Sequence, residues 1–223
     1  MISEKNVTAE VSTQISVKTI KATKANSRLT HHVQLVLHTK IAQSLFDGSW
    51  GYQKMGLMQF SKVVQSLWQS SKNDDPYADW YLMKTQEQML ALREQLNKTE
   101  KHCQEKLAKL RGVEVEIFIN PTPTKLPLHF YTPLCYMAAY LLADLDYVTR
   151  LVYTLKHLGF ILEKDLSPIL FIGKLHDLFA LPRKWKYTEV RRQDIRENNQ
   201  KAQYAKSLMG ELPLTILDKK IHF

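Results

Sequence analysis

Between Leu29 and Thr39 the chain reads LTHHVQLVLHT, with His32, Gln34 and Val36 at alternate positions and Val33, Leu35 and Leu37 between them. A period of two belongs to an extended chain with one apolar side and one outward side. The outward residues suit contact with the edges of nucleic-acid bases. A glutamine amide can bond adenine at two positions, and an arginine such as Arg28 can do the same to guanine. Arg28 and Thr30 stand where such a strand would leave a groove, while His38, close behind the apolar run, suits a capping role as well as a nucleic-acid contact.

Catalytic chemistry finds no comparable arrangement. The eight histidines are scattered, and no HExxH, GxSxG, phosphate loop or dinucleotide fingerprint occurs. Asp144 and Asp146 are two apart on a predicted helix and diverge, as do His176 and Asp177. Asp74, Asp75 and Asp79 invite a metal-site reading, but a helix N-terminus accounts for the first two more simply. Two cysteines, Cys103 and Cys135, allow neither a disulfide framework nor a cysteine-based zinc site. The expectation is a protein that is not an enzyme and needs no cofactor or metal.

The 223 residues carry 31 Lys and Arg against 22 Asp and Glu, a net +9 that favours an anionic partner. The excess is segregated. Residues 1 to 72 hold nine basic and three acidic side chains, residues 183 to 206 hold eight and three, and the stretch between them is slightly acidic. Lys21 and Lys24 belong to the first region. Arg191 and Arg192 belong to the second, where Glu189, Asp194 and Glu197 leave open a choice between gripping phosphates and forming an ion-paired solvated surface. No apolar run of 18 residues occurs, and the N-terminus lacks a basic segment followed by an apolar one, so a soluble cytoplasmic protein without a membrane partner is expected.

The elements that must position these residues follow from pattern. Residues 1 to 28 show no sustained apolar face and read as a flexible basic arm. After the strand, Thr39 can cap a short helix that ends at Asp47-Gly48, and Leu57, Phe60, Val63, Val64, Leu67 and Trp68 recur at helical spacing in a second one. Asn73 or Asp74 can cap a third helix that opens at Pro76 and runs to about Arg111, with Leu82, Met89, Leu96, Cys103 and Leu110 in a narrow heptad seam. Such a helix pairs with another long helix or lies in an oligomer interface. Val113, Val115 and Ile117 alternate with Glu114 and Glu116 as an acidic second strand, and residues 120 to 130, with three prolines, read as an extended linker. A helix with a wide apolar face spans Thr132-Pro133 to Gly159, another runs from Ser167 to Phe179, and a polar helix lies between Thr188 and Met209.

The fold class expected is therefore α+β and mainly helical. Strand, helix and helix over residues 29 to 72 have the order of a ribbon-helix-helix unit, and a long-helix domain fills 73 to 223. In that architecture two subunits each contribute a strand to an antiparallel ribbon that enters the major groove, so the protein should be a homodimer. His32, Gln34 and Val36 become the base readers, and Lys54 and Lys62 position the backbone beside the N-terminus of the second helix, near Gly56 and Leu57. The competing arrangement is a strand at the edge of an α+β domain with two packing helices.

Four phrases, VQLVLHTKIAQSLFDG at 33 to 48, DDPYADWYL at 74 to 82, YLLADLDYVTRLV at 140 to 152 and MGELP at 209 to 213, resemble a family of proteins from integrating conjugative elements and conjugative plasmids. The plasmid transcriptional activator AcaB is a member of it. The resemblance covers about residues 29 to 214, and DDPYADWYL is its most specific segment; the arm lies outside it. It implies a regulator that binds promoter DNA and activates conjugative transfer genes. The helical part then serves as a dimer brace or as a surface for RNA polymerase. The alternative from another class is a non-catalytic structural or accessory component of the conjugation apparatus, acting through protein-protein contacts.

Overall fold

The computed structural model describes residues 33 to 49, 55 to 160 and 167 to 218. Their order is strand β1 (Val33–Leu37), helices α1 (Lys40–Asp47), α2 (Leu57–Lys72) and α3 (Pro76–Ala108), strand β2 (Thr124–Leu128), then helices α4 (Pro133–His157), α5 (Pro168–Ala180), α6 (Arg192–Glu197), α7 (Gln200–Met209) and α8 (Leu214–Asp218). A 3-10 turn, Leu181–Lys184, follows α5 directly. The protein is mainly helical, with one small antiparallel sheet.

The wide apolar face of α4 makes it the centre. Leu134, Ala138, Leu141, Leu142, Leu145, Val148, Val152 and Leu155 are all buried, and α1, α2, α3, α5 and β1 pack around them. The heptad seam of α3 has the partner it needs within the chain. Leu82, Met89, Leu96 and Cys103 are buried where α3 lies along α4, so this seam is internal packing rather than an oligomer interface. One hydrophobic core runs from Leu35 to Ile216, and β1, α1 and α2 belong to it as fully as the long helices do.

Three expectations need correction. The second strand is not Val113–Ile117 but Thr124–Leu128, inside the stretch read as a linker, and it pairs antiparallel with β1 of the same chain, Gln34 opposite Pro127 and Val36 opposite Lys125. Pro127 is tolerated because a two-stranded sheet is all edge. The polar helix between Thr188 and Met209 is two helices, because Asn198 adopts a left-handed conformation (φ 49°) and the side chain of Asn199 caps α7 by accepting from the Ala202 N–H. The cap of α3 is Asp75, whose carboxylate accepts from the N–H groups of Tyr77 (2.9 Å) and Ala78 (3.1 Å). Asn73 instead ends α2, and Asp74 makes the turn at φ 70°. Thr39 caps α1 and Gly48 closes it in the left-handed region, as their residue types require.

Candidate nucleic-acid interface

The alternation around Gln34 is realised as a two-sided ribbon. Leu35 and Leu37 are buried against the core, while Gln34 and Val36 on β1 and Lys125 and Pro127 on β2 face solvent. This face presents an amide, an ammonium and two small apolar groups. It can lie along the base edges of a groove about 12 Å wide, which admits a two-stranded ribbon. Lys125 is the residue that sequence reasoning missed, because the segment that holds it carries no strand pattern of its own; its alternation with Thr124 and Leu126 is masked by the neighbouring prolines.

What holds the ribbon is a carboxylate from the central helix α4. Asp146 on α4, 2% exposed at its side chain, accepts from the backbone N–H groups of His38 (3.2 Å) and Thr39 (2.8 Å) and from the Thr39 hydroxyl (2.7 Å). Arg150, one turn on, lies 3.4 Å from the same carboxylate. His38 completes the junction: its Nδ1 accepts from the Asn120 N–H, and its carbonyl from the Asn120 side-chain amide. His38 is thus part of the junction that caps α1. Asp144, by contrast, turns away to Arg93, 3.3 Å distant, which confirms that the two aspartates diverge.

Other expected contacts separate clearly. Lys62 is exposed on α2 and lines a groove with Met58, Pro127, His129 and Tyr131 beside the ribbon. Gly56 and Leu57, at the N-terminus of α2, are buried; a Cβ on Gly56 would meet the backbone nitrogen of Gly48 at 2.3 Å, so α2 starts against the end of α1. Lys21, Lys24, Arg28, Thr30, His32 and Lys54 lie outside the described residues.

In the second basic region the two neighbouring arginines part company. Arg191 is exposed, whereas Arg192 is buried, its guanidinium 2.7 Å from Asp74 and in contact with Asp79, which also accepts from the Ser71 hydroxyl. The expectation that Arg192 grips DNA is corrected: its side chain, 7% exposed, is committed to carboxylates inside the protein. The rest of the DDPYADWYL phrase works with it. Asp75 accepts from the indole N–H of Trp185 (3.2 Å), and the Tyr77 hydroxyl donates to the carbonyl of Gly210 (2.8 Å). The phrase that is most specific in sequence therefore clasps the C-terminal segment to the α2–α3 corner. Arg183, Lys184, Lys186 and Lys201 remain exposed around that clasp, with Lys206 paired to Glu211 at 2.9 Å.

Burial raises the Asp75 carboxyl to about 6, against the pull of the Ala78, Trp185 and Tyr77 hydrogen bonds. A carboxyl whose pKa is higher in the folded state binds its proton more tightly there, so its contribution to stability rises as pH falls through about 6 and is lost above that value. Asp75→Asn keeps an oxygen for the cap and removes the titration. Urea unfolding of both proteins at pH 7.5 and pH 5 should show the wild type gaining on the variant at the lower pH by about 1.4 kcal/mol, since pH 5 lies about one unit below the folded-state value and each unit is worth about 1.36 kcal/mol.

Among the described residues no three His, Cys, Asp or Glu side chains converge as a metal site. No described helix is long and apolar enough to cross a membrane.

Comparison with known proteins agrees with this architecture. No curated protein is significantly similar in sequence. Among solved structures, the crystal structure of selenomethionine-containing AcaB from uropathogenic E. coli superposes with a TM-score of 0.55 at 15% identity, over 87% of this chain and 98% of that one, a likeness of fold. The family model described as transcriptional regulator AcaB matches residues 26–222, nearly the whole chain. The chain belongs to the AcaB family of transcriptional regulators.

Proposed function

We propose that the protein is a sequence-specific DNA-binding activator of conjugative transfer genes, that it acts without catalysis as a cytoplasmic homodimer, and that the β1–β2 ribbon enters the major groove. The observation that carries this reading is the solvent-facing side of the ribbon, where Gln34, Val36 and Lys125 sit on a base anchored by Asp146. Gln34 reads adenine, Val36 offers an apolar contact to a thymine methyl, and Lys125 supplies the positive charge. Dimerisation is supported by the second edge of β1, which pairs with no other strand among the described residues. Two copies joined there form a four-stranded ribbon that presents both Gln34 side chains. Lys62, the basic arm with Lys21, Lys24 and Arg28, and Thr30 and His32 ahead of β1 extend the contact to neighbouring phosphates and bases, Lys54 joins them from between α1 and α2 in sequence, and Arg191 adds sequence-independent grip. The broad helical platform is a surface for RNA polymerase.

Gln34→Ala should weaken binding to a transfer-gene promoter fragment by about 1 to 3 kcal/mol while leaving affinity for random duplex nearly unchanged, as loss of a base contact does. An equal loss on both would contradict base reading. Lys125→Ala should lower both affinities and reduce the slope of log affinity against log salt by about one unit, the mark of a single phosphate contact. An unaltered slope, measured by fluorescence anisotropy from low to physiological salt, would remove Lys125 from the interface. Wild-type protein that holds promoter and random DNA equally would instead favour a structural component of the conjugation apparatus.

A further inference from the structure

The segment with the clearest strand pattern in the sequence forms no strand. Residues 113 to 117, VEVEI, carry Val115 and Ile117 half-buried and Glu114 and Glu116 exposed, the alternation of an extended chain, yet they belong to no sheet. Their backbone N–H and C=O groups bond to no protein group among the described residues. The segment is nonetheless held in place. Ile117 packs against the core, the Phe118 N–H donates to the Thr154 hydroxyl at 2.9 Å, Arg150 donates to the Phe118 carbonyl at 3.4 Å, and the Phe118 ring lies against His157. A segment about five residues long that alternates in this way, with unpaired backbone groups and a polar outer side, is the kind of template that takes up an added strand.

We propose that residues 113 to 117 are a docking edge for an extended polypeptide segment of a partner protein that carries lysine or arginine at alternate positions. Charge selects this occupant. Glu114 and Glu116 repel a phosphate backbone, so the edge does not serve DNA. A second copy is disfavoured too: any pairing of VEVEI with itself that keeps Val115 and Ile117 on the apolar side sets glutamate opposite glutamate, and like charges directly across a ladder destabilise it. A basic strand places a cation opposite each carboxylate. The edge runs on to Asn120, which is bonded to His38 at the foot of β1, so an added strand would lie next to the ribbon junction.

The test uses the full chain and a capped peptide, Thr-Lys-Val-Lys-Val-Thr, with a glutamate-for-lysine peptide as control. The lysine peptide should slow amide exchange across 113 to 117 and bind in proportion to its concentration, the control should not, and Glu114→Gln with Glu116→Gln should weaken the lysine peptide about tenfold. Both glutamates are exposed, so unchanged melting of the double variant separates lost docking from lost fold. Absence of protection, equal protection by both peptides, or indifference to the double substitution would overturn the proposal. Concentration-dependent protection without peptide would assign the edge to a second copy, and protection by duplex DNA alone would assign it to nucleic acid; either overturns it.

Discussion

Arg192→Ala should lower the free energy of unfolding by about 3 to 5 kcal/mol, the cost of leaving buried charge without its partner. Asp79 is fully buried and faces Ser71 and the guanidinium; with the guanidinium gone, a hydroxyl alone cannot balance a carboxylate at zero exposure. Arg192→Lys should rescue little, because one ammonium cannot replace the two nitrogens that reach Asp74 and Asp79 at once. The double variant Arg192→Ala with Asp79→Ala should lose less than the sum of the single changes, since each removes the other's uncompensated charge. Arg191→Ala, next in sequence and exposed, sets the scale for a surface change, within about 0.5 kcal/mol. Urea unfolding distinguishes these outcomes. If the Arg191 and Arg192 variants are equally stable, the clasp between the α2–α3 corner and the C-terminal segment does not hold the fold as described.

That pair of arginines also marks where sequence stops being legible. Local patterns foresaw the helices well: the Thr39 cap, the Gly48 stop, Pro76 at the start of α3 and the wide apolar face of α4 all act as their residue types dictate. They also foresaw which side of β1 faces out, since burial of Leu35 and Leu37 settles where Gln34 and Val36 point. Contacts across a hundred residues were hidden. Asp146 resembles any other aspartate on a helix until the β1–α1 turn is seen against it, and Arg192 resembles Arg191 until α6 is seen to begin at it. The strand error has the same origin. VEVEI has the stronger pattern, but pairing with β1 is decided by which segment the chain brings alongside, and the turn after Asn120 delivers Thr124–Leu128 there.

The four phrases singled out in the sequence acquire a physical reading from the same long contacts. The phrase at 33 to 48 meets the one at 140 to 152 through His38, Thr39 and Asp146, and the phrase at 74 to 82 meets the one at 209 to 213 through Tyr77 and Gly210. Two clasps close the molecule at separate places. One holds the ribbon on α4; the other holds the C-terminal segment on α3. Changes at the second should act on stability, whereas changes at the first should act on stability and nucleic-acid binding together.

Asp146→Ala is the substitution that separates the two. It strips acceptors from two backbone N–H groups and a hydroxyl at the β1–α1 junction and leaves Arg150, 15% exposed, without its carboxylate. At about 1 to 3 kcal/mol for each buried donor left unsatisfied, with partial relaxation toward water, a loss of about 3 kcal/mol in stability is expected. Asp146→Asn keeps one acceptor oxygen and should lose about half as much. The consequence for the ribbon is the sharper one. With the junction loosened, Gln34 and Lys125 no longer share a fixed face, so affinity for promoter DNA should fall further than the drop in folded fraction explains, measured by anisotropy at a temperature where the variant remains folded. Arg192→Ala, under the same conditions, should reduce binding only in proportion to its unfolded fraction. If Asp146→Ala leaves promoter affinity intact once corrected for folding, the ribbon face is not where this protein meets DNA.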